Sequence, residues 1–305
     1  MKIAVTSKSF SQNKQLIEEL KTVFSDIKLN HATQKLQDEE VIDFLKDCDG
    51  AIVALEEINQ HVIDNLPNLK AISKFGVGLD NIDIGYCKQN SIKVAWEKGI
   101  NKFSVAEMTL GYMLMLLRNL YTTSNLLSNN IWEKNGGTSL YKKNIGIIGV
   151  GYIGKELIKL LKPFDCTIFV NDIIEQKSYY HKNNLIETTK DEIFSTCDII
   201  TVHTPYTQET HHLINTNNLN KMKPTAFILN SARGNIVNLD DLYDAIINKK
   251  IAGAALDVYD KEPPSHPILQ LHNVICTPHI GGNSQEAVLA MGRSAIQKLK
   301  ELLLC

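Results

Sequence analysis

The 305-residue chain contains no closely spaced cysteine pair: Cys48, Cys87, Cys166, Cys197, Cys276 and Cys305 are scattered, and no C-x-x-C occurs. A disulfide framework and a zinc ribbon are therefore not expected, and several of these thiols lie among apolar residues as buried cysteines do. Long hydrophobic runs are also missing. The longest, MTLGYMLMLL at 108–117, is far short of the ~20 residues that a membrane span needs. The opening MKIAVTSKSF has no apolar region leading to a cleavage site, so no signal peptide is expected. Neither sign of charge dominates. Lysine and arginine number 32 against 34 acids, for a net charge of −2, and without a basic tract a nucleic-acid partner is not expected. Internal repeats, low-complexity tracts and Pro/Ser-rich linkers are absent too. These absences leave a soluble, cytoplasmic globular protein with no membrane partner and no metal site.

What is present is ordinary globular composition, 44% hydrophobic and 22% charged, in a chain long enough for two domains. Short apolar, β-branched runs alternate with amphipathic stretches. KIAVT, DIKLN, GAIVAL and LKAISKF form a first series. After an apolar helix at roughly 103–119, a second series holds six strand-like runs: KNIGIIGV, CTIFVND, CDIITVH, TAFILNSA, IAGAALDV and NVICTP. Strands alternating with helices indicate βαβ units and parallel sheets. A last helix is expected at 284–304, and periodicity does not decide which sheet it covers.

The second series opens on a phosphate-binding pattern. Gly149, Gly151 and Gly154 stand in G-x-G-x-x-G spacing, with an apolar strand entering and an amphipathic helix leaving. The first glycine permits a tight turn, the second a close approach of backbone to a pyrophosphate, and the third close packing of helix on strand. The helix N-terminus then offers N–H groups and a positive dipole end to the phosphates. Asp172 closes the following strand, where a carboxylate accepts ribose hydroxyls and repels a 2′-phosphate. The cofactor expected is NAD rather than NADP.

Later strands close on residues with catalytic chemistry: Arg233 in NSARG, Asp257 and Glu262 in LDVYDKEPP, and His279 in CTPHIGG. Strand C-termini of an open parallel sheet line one ligand crevice. Reduction of a 2-keto acid needs a proton donor and its reverse needs a base, and histidine can serve as both. Glu262 is suited to hydrogen-bond and orient that imidazole. Arg233 offers a fork for a carboxylate and stabilises charge on the carbonyl oxygen. His203 is the rival histidine, but Thr204 and Pro205 beside it suit a cofactor wall.

With these residues in view, the chain resembles the D-isomer-specific 2-hydroxyacid dehydrogenases, in particular the phosphoglycerate dehydrogenase-like branch. NLKAISKFGVGLDNID, SVAEMTLGYMLMLLRN, NIGIIGVGYIGK, HTPYTQETHHLI, NSARGNIV, AALDVYDKEPP and NVICTPHIGG carry the resemblance in the family's order over nearly the whole chain. It implies two doubly wound α/β domains. A Rossmann NAD domain (99–283) would be inserted in a flavodoxin-like substrate domain (1–98 plus 284–305). The resemblance also implies Arg233, Glu262 and His279 as the catalytic trio, and Val77 and Gly78 as backbone donors to the substrate carboxylate. Gly149, Gly151, Tyr152, Ile153, Gly154, Asp172, His203, Thr204, Pro205, Ser231, Ala232, Asp257, His279 and Gly282 would line the NAD site. A homodimer joined through the cofactor domains is implied as well. The implied partner is a small 2-hydroxy or 2-keto acid, with 3-phosphoglycerate and its keto form among the candidates.

Departures from the branch bear on substrate. Where phosphoglycerate dehydrogenases often carry an Arg-Ser pair, this chain has Ala54, Leu55 and Glu56, and a carboxylate there would repel a phosphate. Lys8 and Lys74 are candidate replacements. AWEKGINKF at 95–103 also differs from the usual loop, and with the chain ending at Cys305 no serine-sensing regulatory domain is expected. Glu262 disfavours the formate dehydrogenases, which have glutamine there. A glyoxylate or hydroxypyruvate reductase, and an NAD-sensing binding protein of corepressor type, remain the alternatives.

Overall fold

The computed structural model describes residues 1–31 and 35–304, so Cys305 lies outside the described residues. The chain divides into two compact units, Met1–Asn101 with Gly282–Cys305, and Lys102–Gly281.

The first unit holds strands β1 (Lys2–Val5), β2 (Asp26–Leu29), β3 (Gly50–Val53), β4 (Ala71–Lys74) and β5 (Lys93–Ala95) in the order β2-β1-β3-β4-β5. All pairings are parallel. Central strands such as GAIV and AISK are buried at every position, because helices cover both faces of the sheet. Asn13, Asn59 and Asp83 start three of those helices by accepting the N–H groups of Leu16, Val62 and Tyr86. The final helix, Gln285–Leu304, packs on this sheet. Its Met291, Ala295, Ile296 and Leu299 share a core with Ile3, Val5, Leu16 and Leu20.

The second unit contains β6 (Asn144–Ile148), β7 (Thr167–Asn171), β8 (Ile186–Glu187), β9 (Ile199–Val202), β10 (Phe227–Asn230), β11 (Gly253–Leu256) and β12 (Val274–Cys276). They form one parallel sheet ordered β12-β11-β10-β9-β6-β7-β8. This is the Rossmann order with one further strand, and the first unit has the flavodoxin order, as the resemblance implies. The sequence reading of six strands missed β8, a two-residue edge strand with too little apolar character to stand out. In the second unit the strand order reverses between β6 and β9, and open α/β sheets bind ligands beside the carboxyl ends at such a reversal. The helix Lys102–Leu117 buries Val105, Ala106, Thr109, Tyr112, Met113, Leu116 and Leu117 along one stripe. That stripe joins the core containing Ile145, Ile147 and Leu157.

Candidate active site

The glycine loop leaves β6 at the reversal point and enters the helix Tyr152–Leu161. Gly149 has φ +97°, and an added Cβ would lie 2.6 Å from the carbonyl oxygen of His203, so the loop needs glycine for both backbone freedom and contact. A Cβ at Gly154 would lie 2.4 Å from the Gly149 carbonyl oxygen. At Gly151 it would meet nothing within 4 Å. The space at the helix N-terminus is therefore open where a phosphate would approach. Asp172, just past β7, fixes the loop by accepting the Val150 N–H at 2.6 Å and the Ile174 N–H at 2.8 Å.

Across the loop stand His203 and Thr204. His203 Nε2 meets Thr201 Oγ1 at 3.0 Å, while His203 Nδ1 and Thr204 Oγ1 are buried without a hydrogen-bond partner. Two orphaned polar atoms beside an open glycine cradle fit a polar ligand. Burial also lowers the His203 imidazole from its usual 6.5 to about 4. Between those values the unfolded chain binds a proton that the folded chain does not. Stability should thus fall as pH drops from 6.5 towards 4, by at most about 3 kcal/mol. Urea unfolding of the parent and of His203→Asn across that window checks this. The variant should show a flatter pH dependence, and an identical slope would contradict the assignment.

Three further loops follow β10, β11 and β12. Asn230 shapes the first: its Oδ1 accepts the Ala232 N–H at 3.0 Å and its Nδ2 donates to the Arg233 carbonyl at 2.8 Å. Arg233 Nη1 donates to the Ala232 carbonyl at 2.7 Å. A Cβ on Gly234 would lie 1.8 Å from the Tyr259 carbonyl carbon, so the first two loops are in direct contact. Glu262 accepts the Tyr259 N–H at 3.2 Å, and its carboxylate oxygens lie 2.9 and 3.1 Å from His279 Nδ1. Both side chains are about one-third exposed, at 33% and 32%, so the pair reaches solvent. With Nδ1 engaged by Glu262, Nε2 is the ring nitrogen that this carboxylate does not hold. His279 also has φ +54°, a left-handed conformation that costs a non-glycine residue about 1 kcal/mol.

The structure thus brings Arg233, Glu262 and His279 onto adjacent loops of one sheet, in the unit that carries the glycine cradle. Asp257 is buried beneath them. Its carboxylate takes the Thr277 hydroxyl and the N–H groups of Ile280 and Gly281. Ser231 lies 3.4 Å from Thr109 through their hydroxyls, and Tyr152 and Pro205 are exposed. Val77 and Gly78 belong to the other unit, on the loop after β4, and Gly282 is also grouped there. Among the described residues no group of three His, Cys, Asp or Glu side chains could hold a metal ion. None of their helices is long and apolar enough to cross a membrane.

Glu56 and Lys74 differ from what the sequence suggested. Glu56 is buried, accepting the Thr6 hydroxyl and, at 3.1 Å, the Ala54 N–H. Lys74 is buried as well and donates to the Ala54 carbonyl and Asn81 Oδ1. Both charges are committed to shaping the strand ends rather than left to face a ligand. No local sequence signal distinguishes a carboxylate turned inwards from one turned outwards.

Residues 110–281 match the model of the family described as D-isomer specific 2-hydroxyacid dehydrogenase, NAD binding domain. A glyoxylate reductase from Thermofilum pendens is 36% identical over 271 residues, covering 86% of this chain and 80% of that protein. The chain belongs to the D-isomer specific 2-hydroxyacid dehydrogenase family. A D-3-phosphoglycerate dehydrogenase from Methanocaldococcus jannaschii is 36% identical over 274 residues, and the match spans 88% of this chain but only 52% of that protein. The TT0316 protein of Thermus thermophilus superposes with a TM-score of 0.90 at 26% identity, covering 100% of this chain and 97% of the other. As a D-2-hydroxyacid dehydrogenase, the protein is an NAD-dependent oxidoreductase. The open space at Gly151, the orphaned atoms of His203 and Thr204, and the Asp172 carboxylate are chemically suited to that cofactor.

Proposed function

We propose that the protein transfers a hydride between NAD(H) and a small D-2-hydroxy/2-keto acid, with His279 as acid/base, Glu262 as its orienting partner and Arg233 as the substrate-binding cation. The observation that carries this reading is the His279–Glu262 pair at 2.9 Å on the sheet that also holds the glycine cradle. NAD, when bound, supplies the hydride acceptor or donor. The unit Lys102–Gly281 serves as the cofactor domain, with Asp172 taking the ribose hydroxyls and His203, Thr204 and Ser231 along its wall. In reduction, Arg233 holds the carboxylate and draws charge onto the carbonyl oxygen, while His279 Nε2 gives that oxygen its proton. In oxidation the same nitrogen removes it. The other unit is the substrate domain, and the backbone N–H groups of Val77 and Gly78 are assigned to the substrate carboxylate.

Lys74, a candidate phosphate-binding cation, is buried and engaged with Ala54 and Asn81, and this favours an unphosphorylated acid of glyoxylate or hydroxypyruvate type over a phosphorylated one. NADH oxidation with glyoxylate, hydroxypyruvate, 2-oxoglutarate and 3-phosphohydroxypyruvate tests this. Highest kcat/KM on a small unphosphorylated acid is expected. Preference for 3-phosphohydroxypyruvate would reverse the substrate reading, and inactivity on all four would favour a binding role.

We also propose a cytoplasmic homodimer joined through the cofactor domain. The helix Leu120–Ser128 has no buried residue, and Leu120, Leu127, Ile131 and Trp132 are 51%, 54%, 51% and 77% exposed. The backbone beyond them is held in place: the Thr138 N–H bonds to the Leu117 carbonyl at 2.7 Å, and Arg118 Nε to that of Gly136 at 3.0 Å. An apolar surface on held backbone suits a second copy of the chain. The described cysteines are free thiols, in keeping with a reducing compartment. Sedimentation equilibrium should give twice the 34.2 kDa chain mass; a single-chain mass would contradict the dimer.

A further inference from the structure

Beneath the His279 loop runs a polar chain that hydride transfer does not itself use. Tyr112, on the helix Lys102–Leu117, is buried at 4% exposure, and its hydroxyl meets that of Thr277. Thr277 Oγ1 in turn lies 2.5 Å from Asp257 Oδ1. Threonine has one hydroxyl proton. If it goes to the carboxylate, the same oxygen must accept from Tyr112, which sets the direction from tyrosine to threonine to aspartate.

Asp257 passes this anchoring to the loop. Its Oδ1 accepts the Ile280 N–H at 2.8 Å and its Oδ2 the Gly281 N–H at 2.7 Å. Its main-chain carbonyl accepts the His279 N–H, also at 2.8 Å. Three successive loop residues are thus tied to one buried residue. Ser104 adds a bond from its hydroxyl to the Gly281 carbonyl at 2.6 Å. His279 has left-handed backbone at φ +54°, a conformation that persists where the surroundings over-determine it. The Tyr112–Thr277–Asp257 chain supplies such surroundings from the interior, while Glu262 holds the ring from the outside.

We propose that Tyr112 and Thr277 are positioning residues for the reaction. Acting through Asp257, they fix the His279 backbone so that one ring nitrogen stays on Glu262 and the other faces the reacting oxygen. The proposal rests on the assignment of His279 as proton carrier. The side-chain hydrogen bonds of Tyr112 and Thr277 run to Met108, to each other and to Asp257 rather than to the glycine cradle. Their loss should therefore lower turnover more than it weakens cofactor binding, which Asp257 and His279 also serve in the proposed site.

The test compares Thr277→Val, Thr277→Ser, Tyr112→Phe and the Tyr112→Phe/Thr277→Val double variant in steady-state assays with NADH and the best keto acid. His279→Ala serves as control. Thr277→Val keeps the volume and removes the hydroxyl, so kcat should fall by about tenfold or more, since small misplacements of a reacting group are costly. KM for NADH should rise by a smaller factor than kcat falls, and Thr277→Ser should restore most of kcat. Tyr112→Phe should lower kcat less, and the double variant should be no worse than Thr277→Val, because Tyr112 acts through Thr277. A parental kcat for Thr277→Val beside an inactive His279→Ala would overturn the relay alone. Multiplicative losses in the double variant would also overturn it. An active His279→Ala would instead remove the acid/base reading on which the relay depends.

Discussion

His279→Ala is expected to lower kcat by about 10²-fold or more in either direction, with little change in KM for NADH. The reason is geometric. Glu262 occupies Nδ1 at 2.9 Å, so in the proposed mechanism the opposite nitrogen is the one that carries the proton the keto oxygen gains or the hydroxyl loses. Alanine removes that carrier and leaves the glycine cradle, Asp172 and Arg233 in place. Water can reach the loop, because the histidine side chain is 33% exposed, so residual turnover by solvent proton transfer should remain. Steady-state kinetics on purified variant checks the prediction, and a kcat within a factor of about three of the parent would exclude His279 as the proton carrier.

Arg233→Ala should be comparably damaging, but in a different pattern. An arginine that both grips the carboxylate and stabilises the developing oxyanion contributes to binding and to the transition state. Its loss should therefore raise KM for the keto acid and lower kcat, reducing kcat/KM by about 10²–10³-fold. Lysine at this position should recover only part of the loss, since it lacks the planar fork. The surrounding turn should survive, because Asn230 shapes it through backbone bonds at 2.8 and 3.0 Å that do not involve the guanidinium. An unchanged kcat/KM for Arg233→Ala would contradict its role.

Much of this arrangement was legible in the sequence because it is local. The glycine spacing, the strand before it and the helix after it lie within 144–161. The positions of Arg233, Glu262 and His279 follow from where apolar strands stop. Long-range relations were not legible. Tyr112 is separated from Thr277 by 165 residues, and within its own stretch it reads as one more apolar helix position. The last helix buries the stripe Ala287, Met291, Ala295 and Leu299, but an apolar stripe carries no information about which sheet covers it. Glu56 misled for a related reason: a buried carboxylate is legible only through its partners, here the Thr6 hydroxyl and Ala54 N–H. The strand β8 was invisible because two residues at a sheet edge need no apolar pattern.

Hydride transfer to the carbonyl carbon of a 2-keto acid, with D product geometry, is the activity from which every residue role above follows. NADH carrying deuterium at the transferred position, incubated with the protein and hydroxypyruvate, tests it most directly by mass spectrometry and chiral separation of the product. One deuterium at C2 of the D-hydroxy acid is the expected result. Oxidation of NADH without deuterium at C2, or formation of the L-hydroxy acid, would contradict the account.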